Sequence, residues 1–251
     1  MKQTVMITGA TSGIGEACVS CFIKAGYRVI ATGRNAEKLN RLKNEFGPDL
    51  LPLEFDVRHR ETAEACVNNL PDDWREIDIL VNNAGLALGL EPEYQGDHTD
   101  WDTMIDTNIK GLLTMTRIVV PGMVERNRGH IINIGSVAGD AAYANGNVYC
   151  ATKAAVKSIT DGLRIDVAHT ELRVTLLKPG LVETNFSNIR FHGDCERADK
   201  VYQGITPLTG KDIADAALYA AQAPKHVQIA EMLILATHQA NGSTIVRESN
   251  S

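Results

Sequence analysis

Short apolar strands alternate with helical patterns along this chain, and the alternation limits the folds it can adopt. The candidate strands lie at 4–8, 27–32, 51–55, 78–82, 130–135, 172–178 and 230–235. Helical patterns lie between them at 13–25, 35–45, 59–69, 100–126, 148–168 and 211–222. Strands such as Val5-Met6-Ile7 are apolar at consecutive positions, which is typical of strands covered on both faces. The pattern predicts a single α/β domain over residues 1–251, with a doubly wound parallel sheet of about seven strands and helices on both faces.

Two segments depart from this alternation. Residues 181–209 are polar and carry only a weak helical pattern, and the tail, residues 237–251, is weakly patterned. Long loops in folds of this kind usually carry function. We therefore expect residues 181–209 to form a substrate loop.

Charge and cysteine content exclude several classes of function. The net charge is −6 and Lys and Arg form no run, so we expect no nucleic-acid partner. No stretch approaches the ~20 apolar residues of a membrane span, so no membrane partner is expected either. Five cysteines form no disulfide framework, seven histidines lack metal-ligand spacing, and Met1-Lys2-Gln3 leads directly into a strand. These features predict a cytoplasmic protein without a signal peptide and without a bound metal.

A glycine-rich turn follows the first strand and leads into the first helix. It reads Thr8-Gly9-Ala10-Thr11-Ser12-Gly13-Ile14-Gly15, with the spacing G-x-x-x-G-x-G in place of the usual G-x-G-x-x-G. Such a turn lets phosphates approach the backbone and face the N–H groups of a helix N-terminus. The alternative is a tight strand-to-helix connection without a ligand. The position favours a dinucleotide site that includes Gly9, Thr11, Ser12, Gly13, Ile14 and Gly15.

The end of the second strand indicates which dinucleotide is bound. Folds that bind NAD place an acidic residue there, about 20 residues after the glycine turn, to hold the ribose 2′-hydroxyl. This chain has Gly33-Arg34-Asn35, and the next acid is Glu37. A guanidinium pairs with a 2′-phosphate, which a carboxylate would repel. We therefore predict NADP, with Arg34 at its 2′-phosphate and Asn35 among the cofactor-binding residues; the alternative is that Arg34 is a solvated strand-end residue.

A tyrosine and a lysine four residues apart, Tyr149 and Lys153, open a later helical stretch and share one helix face. A phenol has a pKa of about 10 and needs a nearby cation to work as an acid–base group at neutral pH. Ser136 ends the fifth strand, at the edge where parallel α/β sheets bind ligands. Asn82-Asn83-Ala84-Gly85 ends the fourth strand at the same edge, and Asn108 lies in the following helix.

Together these residues resemble the short-chain dehydrogenase/reductase family over nearly the whole chain. The matching residues, in order, are Gly9, Gly13, Gly15, Asn82-Asn83-Ala84-Gly85, Asn108, Ser136, Tyr149, Lys153 and Pro179-Gly180. The resemblance implies a Rossmann-type fold and four catalytic residues. Tyr149 would be the acid–base residue and Ser136 would bind the substrate oxygen. Lys153 would hold the nicotinamide ribose and lower the pKa of Tyr149, and Asn108 would support a water-mediated proton path.

The same resemblance implies further cofactor contacts. Asp56 and Val57 would flank the adenine, and Asn83 would approach the adenosine-side ribose. Ala84 and Gly85, together with Tyr149 and Lys153, count among the cofactor-binding residues, and Pro179, Gly180, Val182 and Thr184 would cover the nicotinamide. The chain departs from many NADP-preferring members at Ser12, where they carry a basic residue. That departure leaves Arg34 as the principal 2′-phosphate ligand.

Three segments, 84–89, 146–149 and 186–194, resemble more closely the NADP-dependent 3-hydroxy acid dehydrogenases. This implies oxidation of serine, L-allo-threonine or 3-hydroxypropionate-like acids, or reduction of the corresponding semialdehydes and ketones. Ser136, Tyr149 and Arg190 are then the expected substrate-binding residues, and Arg190 would pair with the carboxylate of the substrate. The alternative for Arg190 is a salt bridge with Asp194, and His192 faces either solvent or substrate.

Two other functions stay open. One is a reductase for another carbonyl, such as a 3-oxoacyl thioester, a sugar or a small ketone. The other is a cofactor-sensing regulator, which is disfavoured because all four catalytic positions are filled. By resemblance, a homotetramer is expected through the helices at 100–126 and 148–168.

Overall fold

A parallel sheet runs through the computed structural model, which describes residues 2–247. The strands are β1 Thr4–Ile7, β2 Arg28–Gly33, β3 Leu50–Glu54, β4 Ile79–Asn82, β5 His130–Ile134, β6 Arg173–Pro179, β7 Val182–Glu183, β8 Leu208–Thr209 and β9 Glu231–Ile234. Seven of them form one sheet in the order β3-β2-β1-β4-β5-β6-β9, with every neighbouring pair parallel. The predicted α/β fold and its seven strands are confirmed. The short pair β7–β8 is an additional element inside the predicted substrate loop.

Helices cover both faces of the sheet. They are α1 Gly13–Lys24, α2 Ala36–Phe46, α3 Arg60–Asn68, α4 His98–Ile105, α5 Leu112–Glu125, α6 Asn147–Asp166, α7 Phe186–Arg190, α8 Cys195–Lys200 and α9 Gly210–Gln222. Successive residues of β1 enter opposite cores: Val5 and Ile7 pack with α1, α2 and α9, whereas Met6 packs with α3 and α5. Burial of both faces is the reason that the strands are apolar at consecutive positions.

The helix predicted at 100–126 is interrupted. It begins at His98, because the Asp97 carboxylate accepts hydrogen bonds from the first turn, and residues Asp106–Gly111 form a π-helical turn between α4 and α5. Helix periodicity does not show the π-turn, because its cause is a long-range contact: the Asn108 side chain bonds to the backbone of Leu86.

The site is placed by the reversal of strand order between β1 and β4. The carboxyl ends of these strands, together with those of β5 and β6, bring the glycine turn, Asn83, Ser136 and Pro179 to one edge of the sheet. Doubly wound sheets bind their ligands in the crevice at such a point. The tail crosses the same region, where Gln239 and Ile245 form an antiparallel bridge. Residues 248–251 of the predicted tail lie outside the described residues.

Candidate active site

A cavity of about 480 Å³ opens at this edge and joins the predicted cofactor and substrate sites. Of the predicted residues, it is lined by Gly9, Thr11, Ser12, Gly13, Ile14, Arg34, Asp56, Val57, Asn83, Ala84, Gly85, Ser136, Tyr149, Lys153, Pro179, Gly180, Val182, Thr184 and Arg190. Its volume is within the range of ligand pockets in proteins. Three predicted residues, Gly15, Asn35 and Asn108, are not part of the lining.

The glycine turn is held close to the end of β4. Gly9 has a φ of +64°, a conformation that favours glycine, and the Asn83 amide donates to the carbonyl oxygens of Thr8 (2.8 Å) and Gly9 (3.1 Å). A Cβ atom on Gly15 would lie 2.2 Å from the Gly9 carbonyl oxygen. Gly15 therefore lets α1 approach the turn, and its contact with a cofactor stays a prediction.

The end of β2 carries an exposed arginine, Arg34, and the carboxylate of Asp56 lies beside it. The sequence pattern did not predict this pairing. The Arg34 side chain is 62% exposed, and its Nη1 lies 3.8 Å from Asp56 Oδ2. Burial acts to raise the pKa of Asp56, but hydrogen bonds from Arg58, the shortest 2.7 Å, outweigh it and lower that pKa. Asn35 caps α2, accepting a 2.8 Å hydrogen bond from the Lys38 amide, and its contact with a cofactor stays a prediction.

The predicted acid–base pair lies on the first turns of α6. Lys153 Nζ is 6.0 Å from the centroid of the Tyr149 ring and donates a 2.9 Å hydrogen bond to the Ile134 carbonyl oxygen. Ser136 follows β5, and its hydroxyl accepts from the Ala138 amide at 3.1 Å. The fold thus brings Ser136, Tyr149 and Lys153 together in the cavity.

Burial controls the protonation of this pair. It raises the pKa of Tyr149, and the neighbouring Tyr143 adds to the effect because two phenolates would repel each other. The Ser136 hydroxyl and the positive charge of Arg190 act in the opposite direction. Burial also lowers the pKa of Lys153 to about 8. Without a bound cofactor Tyr149 keeps its proton. That Lys153 lowers the pKa of Tyr149 stays a prediction.

The Asn108 side chain forms hydrogen bonds with two segments next to the site. Its amide donates to the Leu86 carbonyl oxygen (2.8 Å) and to Thr152 Oγ1 (3.0 Å), and its Oδ1 accepts from the Leu86 amide at 2.8 Å. These bonds use both amide hydrogens, so the side chain ties the segment after β4 to α6. Asn108 does not line the cavity, and its predicted support of a proton path stays a prediction.

Arg190 closes the other end of the cavity. Its Nε donates to the Gly89 carbonyl oxygen (3.1 Å) and its Nη1 to the Tyr143 hydroxyl (2.9 Å). Its Nη2 is buried and has no hydrogen-bond partner among the described residues. The predicted alternative, a salt bridge to Asp194, is wrong, because Asp194 caps α8. His192 lies on the exposed side, 3.0 Å from an oxygen of Asp100, and does not line the cavity.

The model of the short chain dehydrogenase family matches residues 3–193. The chain belongs to this family. An NADP-dependent 3-hydroxy acid dehydrogenase of Salmonella typhi is 55% identical over 226 residues, which cover 90% of this chain and 91% of the relative. A serine 3-dehydrogenase of Rhizobium radiobacter is 44% identical over 250 residues, which cover 99% and 100%.

Solved structures of short-chain dehydrogenases match the fold of this one closely. The closed form of a serine dehydrogenase complexed with NADP⁺ superposes with a TM-score of 0.95 at 50% identity, covering 98% of this chain and all of the other. The serine dehydrogenase of Escherichia coli superposes with a TM-score of 0.85 at 47% identity, covering 95% of this chain and all of the other.

Several residues lining the cavity of this short-chain dehydrogenase have no signal in the sequence. Tyr143 belongs to a segment without periodicity, and Gln239 and Ile245 come from the weakly patterned tail. Gln239 Oε1 accepts from the Leu181 amide at 2.8 Å, so the tail anchors the start of the substrate loop. These contacts join residues far apart in the chain, which local patterns do not reveal.

Two further findings concern the described part of the chain. Across residues 2–247, no three His, Cys, Asp or Glu side chains gather in a way that could hold a metal ion. Nor does any helix in that range have the length and apolar character needed to cross a bilayer.

Proposed function

We propose that this dehydrogenase oxidises small 3-hydroxy acids with NADP⁺, or reduces the corresponding semialdehydes and ketones with NADPH. Serine, L-allo-threonine and 3-hydroxypropionate-like acids are the candidate substrates. The observation that carries the proposal is a guanidinium: Arg190 lines the cavity together with Ser136 and Tyr149, and its buried Nη2 has no hydrogen-bond partner among the described residues. The activities of the two relatives, 3-hydroxy acid dehydrogenase and serine 3-dehydrogenase, support the same substrate class.

The cavity residues fit NADP. The glycine turn offers backbone close to a helix N-terminus for the phosphates, and Arg34 offers a cation for the 2′-phosphate. The Salmonella typhi relative is NADP-dependent, and the serine dehydrogenase that superposes with a TM-score of 0.95 was solved with NADP⁺. When bound, the nicotinamide accepts or donates the hydride.

The chain's own residues handle the proton. In the reductive direction neutral Tyr149 gives its phenolic proton to the carbonyl oxygen, which Ser136 holds by a hydrogen bond. In the oxidative direction a Tyr149 phenolate takes the proton of the substrate's hydroxyl, while the hydride leaves the carbon that bears this hydroxyl. Because burial opposes that phenolate, a nearby cation such as Lys153 is needed to stabilise it.

Arg190 supplies recognition of the substrate's carboxylate. A carboxylate must leave water to enter this cavity, and that is costly unless donors replace its hydration. The Nη2 group of Arg190 also carries a desolvation penalty, since it is buried without a hydrogen-bond partner among the described residues. Pairing the two removes both penalties and orients the hydroxyl-bearing carbon toward Ser136 and Tyr149.

Replacing the guanidinium tests the proposal. Arg190→Met should lower kcat/KM for serine by ~10-fold or more, the scale of one lost charged hydrogen bond, and lower it little for 2-amino-1,3-propanediol, which lacks the carboxylate. Arg197→Met is the matched control, because Arg197 belongs to the same loop but does not line the cavity. Parallel losses on both substrates would contradict the proposal and favour another carbonyl substrate.

Assembly and location follow the resemblance. We propose a homotetramer through α5 and α6, and both helices expose an apolar side chain, Leu113 and Ile165. Light scattering on the purified protein tests this, with a monomer as the contradicting result. The cytoplasmic location stays a prediction, which cell fractionation tests.

A further inference from the structure

The phenol of Tyr143 lies beside the proposed carboxylate site and has no part in the reaction described above. We propose that the Tyr143 hydroxyl donates a second hydrogen bond to the substrate's carboxylate, next to Arg190, and so helps to select 3-hydroxy acids. This inference rests on the proposed function and extends it from one residue to a two-donor site.

The hydrogen bond between Arg190 and Tyr143 leaves the phenolic proton available. The Tyr143 oxygen accepts from Arg190 Nη1 at 2.9 Å, and a guanidinium has no acceptor to receive a proton in return. The Tyr143 O–H finds no acceptor among the described residues. Tyr143 lines the same cavity as Ser136 and Tyr149, so its proton is free for a ligand there.

Tyr143 also keeps that proton at neutral pH. Burial raises the pKa of Tyr143 and outweighs the charge and hydrogen bond of Arg190, which lower it. The residue is therefore a neutral donor, and its hydroxyl suits an anion better than it suits a second cation.

Arg190 alone does not present its full fork to a carboxylate. Its Nε is used by the Gly89 carbonyl oxygen and one Nη1 hydrogen by Tyr143, while Nη2 has no partner among the described residues. A carboxylate has two oxygens that accept several hydrogen bonds. The Tyr143 phenol, held at Nη1 of the same guanidinium, supplies a second donor, and two donors fix the orientation of the carboxylate as one cannot.

The tyrosine ring is held independently of its hydroxyl. A Cβ atom on Gly146 would lie 2.0 Å from Cε2 of Tyr143, so the ring packs directly on that glycine. The Arg190 guanidinium carbon lies 5.5 Å from the ring centroid. Tyr143→Phe keeps this packing and removes only the oxygen, which makes it a clean test.

The experiment compares 3-hydroxypropionate with 3-hydroxypropanamide, which has the same size and no charge. Tyr143→Phe should lower kcat/KM for the acid ~10-fold or more, with less than about a threefold change for the amide. Tyr219→Phe, which removes an exposed hydroxyl on α9, is the matched control and should change neither. Retained NADPH binding, measured by cofactor fluorescence, shows that the variant is folded.

A double variant separates direct donation from support of Arg190. If Tyr143 donates to the carboxylate, Tyr143→Phe still lowers activity on the acid in an Arg190→Met background. If it only orients Arg190, the second substitution has no further effect, and the proposal is wrong. The inhibition constant of propionate, which has no hydroxyl to react, should rise with Tyr143→Phe by a similar factor.

The outcomes distinguish this inference from the proposed function. If Arg190→Met separates the acid from the amide but Tyr143→Phe does not, only the role of Tyr143 fails. If neither variant separates them, the 3-hydroxy acid assignment itself fails.

Discussion

Replacing Arg34 should change the choice between NADP⁺ and NAD⁺ without changing the chemistry. Only NADP⁺ carries a 2′-phosphate, and Arg34 is the basic residue that lines the cavity at the end of β2. Arg34→Ala should therefore raise KM for NADP⁺ and leave KM for NAD⁺ within about twofold. In the same variant kcat should stay close to that of the wild type, because the reacting atoms lie elsewhere in the cavity.

The exposure of Arg34 sets the size of this effect. A hydrogen bond to a charged group contributes ~1.5–3 kcal/mol, but a side chain that is 62% exposed loses part of that to solvent screening. The neighbouring Asp56 competes weakly, since Arg58 already holds its carboxylate with closer contacts. We therefore expect the lower end of the range, about 10-fold in KM for NADP⁺.

Steady-state kinetics with both cofactors, at fixed saturating substrate, measure the effect. Arg75→Ala is the matched control, because Arg75 is exposed and lies outside the cavity lining. The preference of the wild type for NADP⁺ should also weaken as ionic strength rises. Equal losses with NADP⁺ and NAD⁺ would refute the reasoning and show that Arg34 supports the structure of the β2 end.

Two further predictions concern the acid–base pair. Tyr149→Phe should lower kcat by ~100-fold or more while NADPH binding persists, and a variant that keeps over a tenth of wild-type kcat would contradict the assignment. Burial lowers the pKa of Lys153 from 10.5 to about 8, so between pH 8 and pH 10.5 the unfolded chain binds more protons than the folded one. The free energy of unfolding should therefore rise by about 3 kcal/mol as pH increases across this interval. In denaturant titrations at several pH values, Lys153→Met should lose that rise and Lys157→Met should keep it. If the free energy of unfolding changed equally with pH in both variants, burial would not lower the pKa of Lys153.

The sheet was predictable because its strands obey one physical rule. Residues such as Val5, Met6 and Ile7 are each buried on one face or the other, so an apolar run marks a central strand such as β1, and likewise Ile79-Leu80-Val81 in β4. The π-turn at Asp106–Gly111 follows no such rule, since it depends on how Asn108 bonds to Leu86 across the fold. Helix α7 is five residues long, too short for periodicity to identify.

The site divides in a similar way. Ser136 and the glycine turn come directly after strands, and Tyr149 with Lys153 opens a helix, so chain position alone brings them to the sheet edge. Arg58 and Tyr143 act through side-chain contacts, with Asp56 and with Arg190, that only the folded structure contains. Asn35 has a role that the cofactor motif did not reveal, because its side chain caps α2.

One measurement tests the central claim most directly: the rate of NADPH formation by the purified protein with NADP⁺ and a matched pair of substrates, 3-hydroxypropionate and 3-hydroxypropanamide. The account predicts that kcat/KM is at least ~10-fold higher for the acid, the contribution expected of one charged hydrogen bond to the carboxylate. An equal or higher value for the amide, or turnover of sugars and simple alcohols without turnover of the acid, would contradict it.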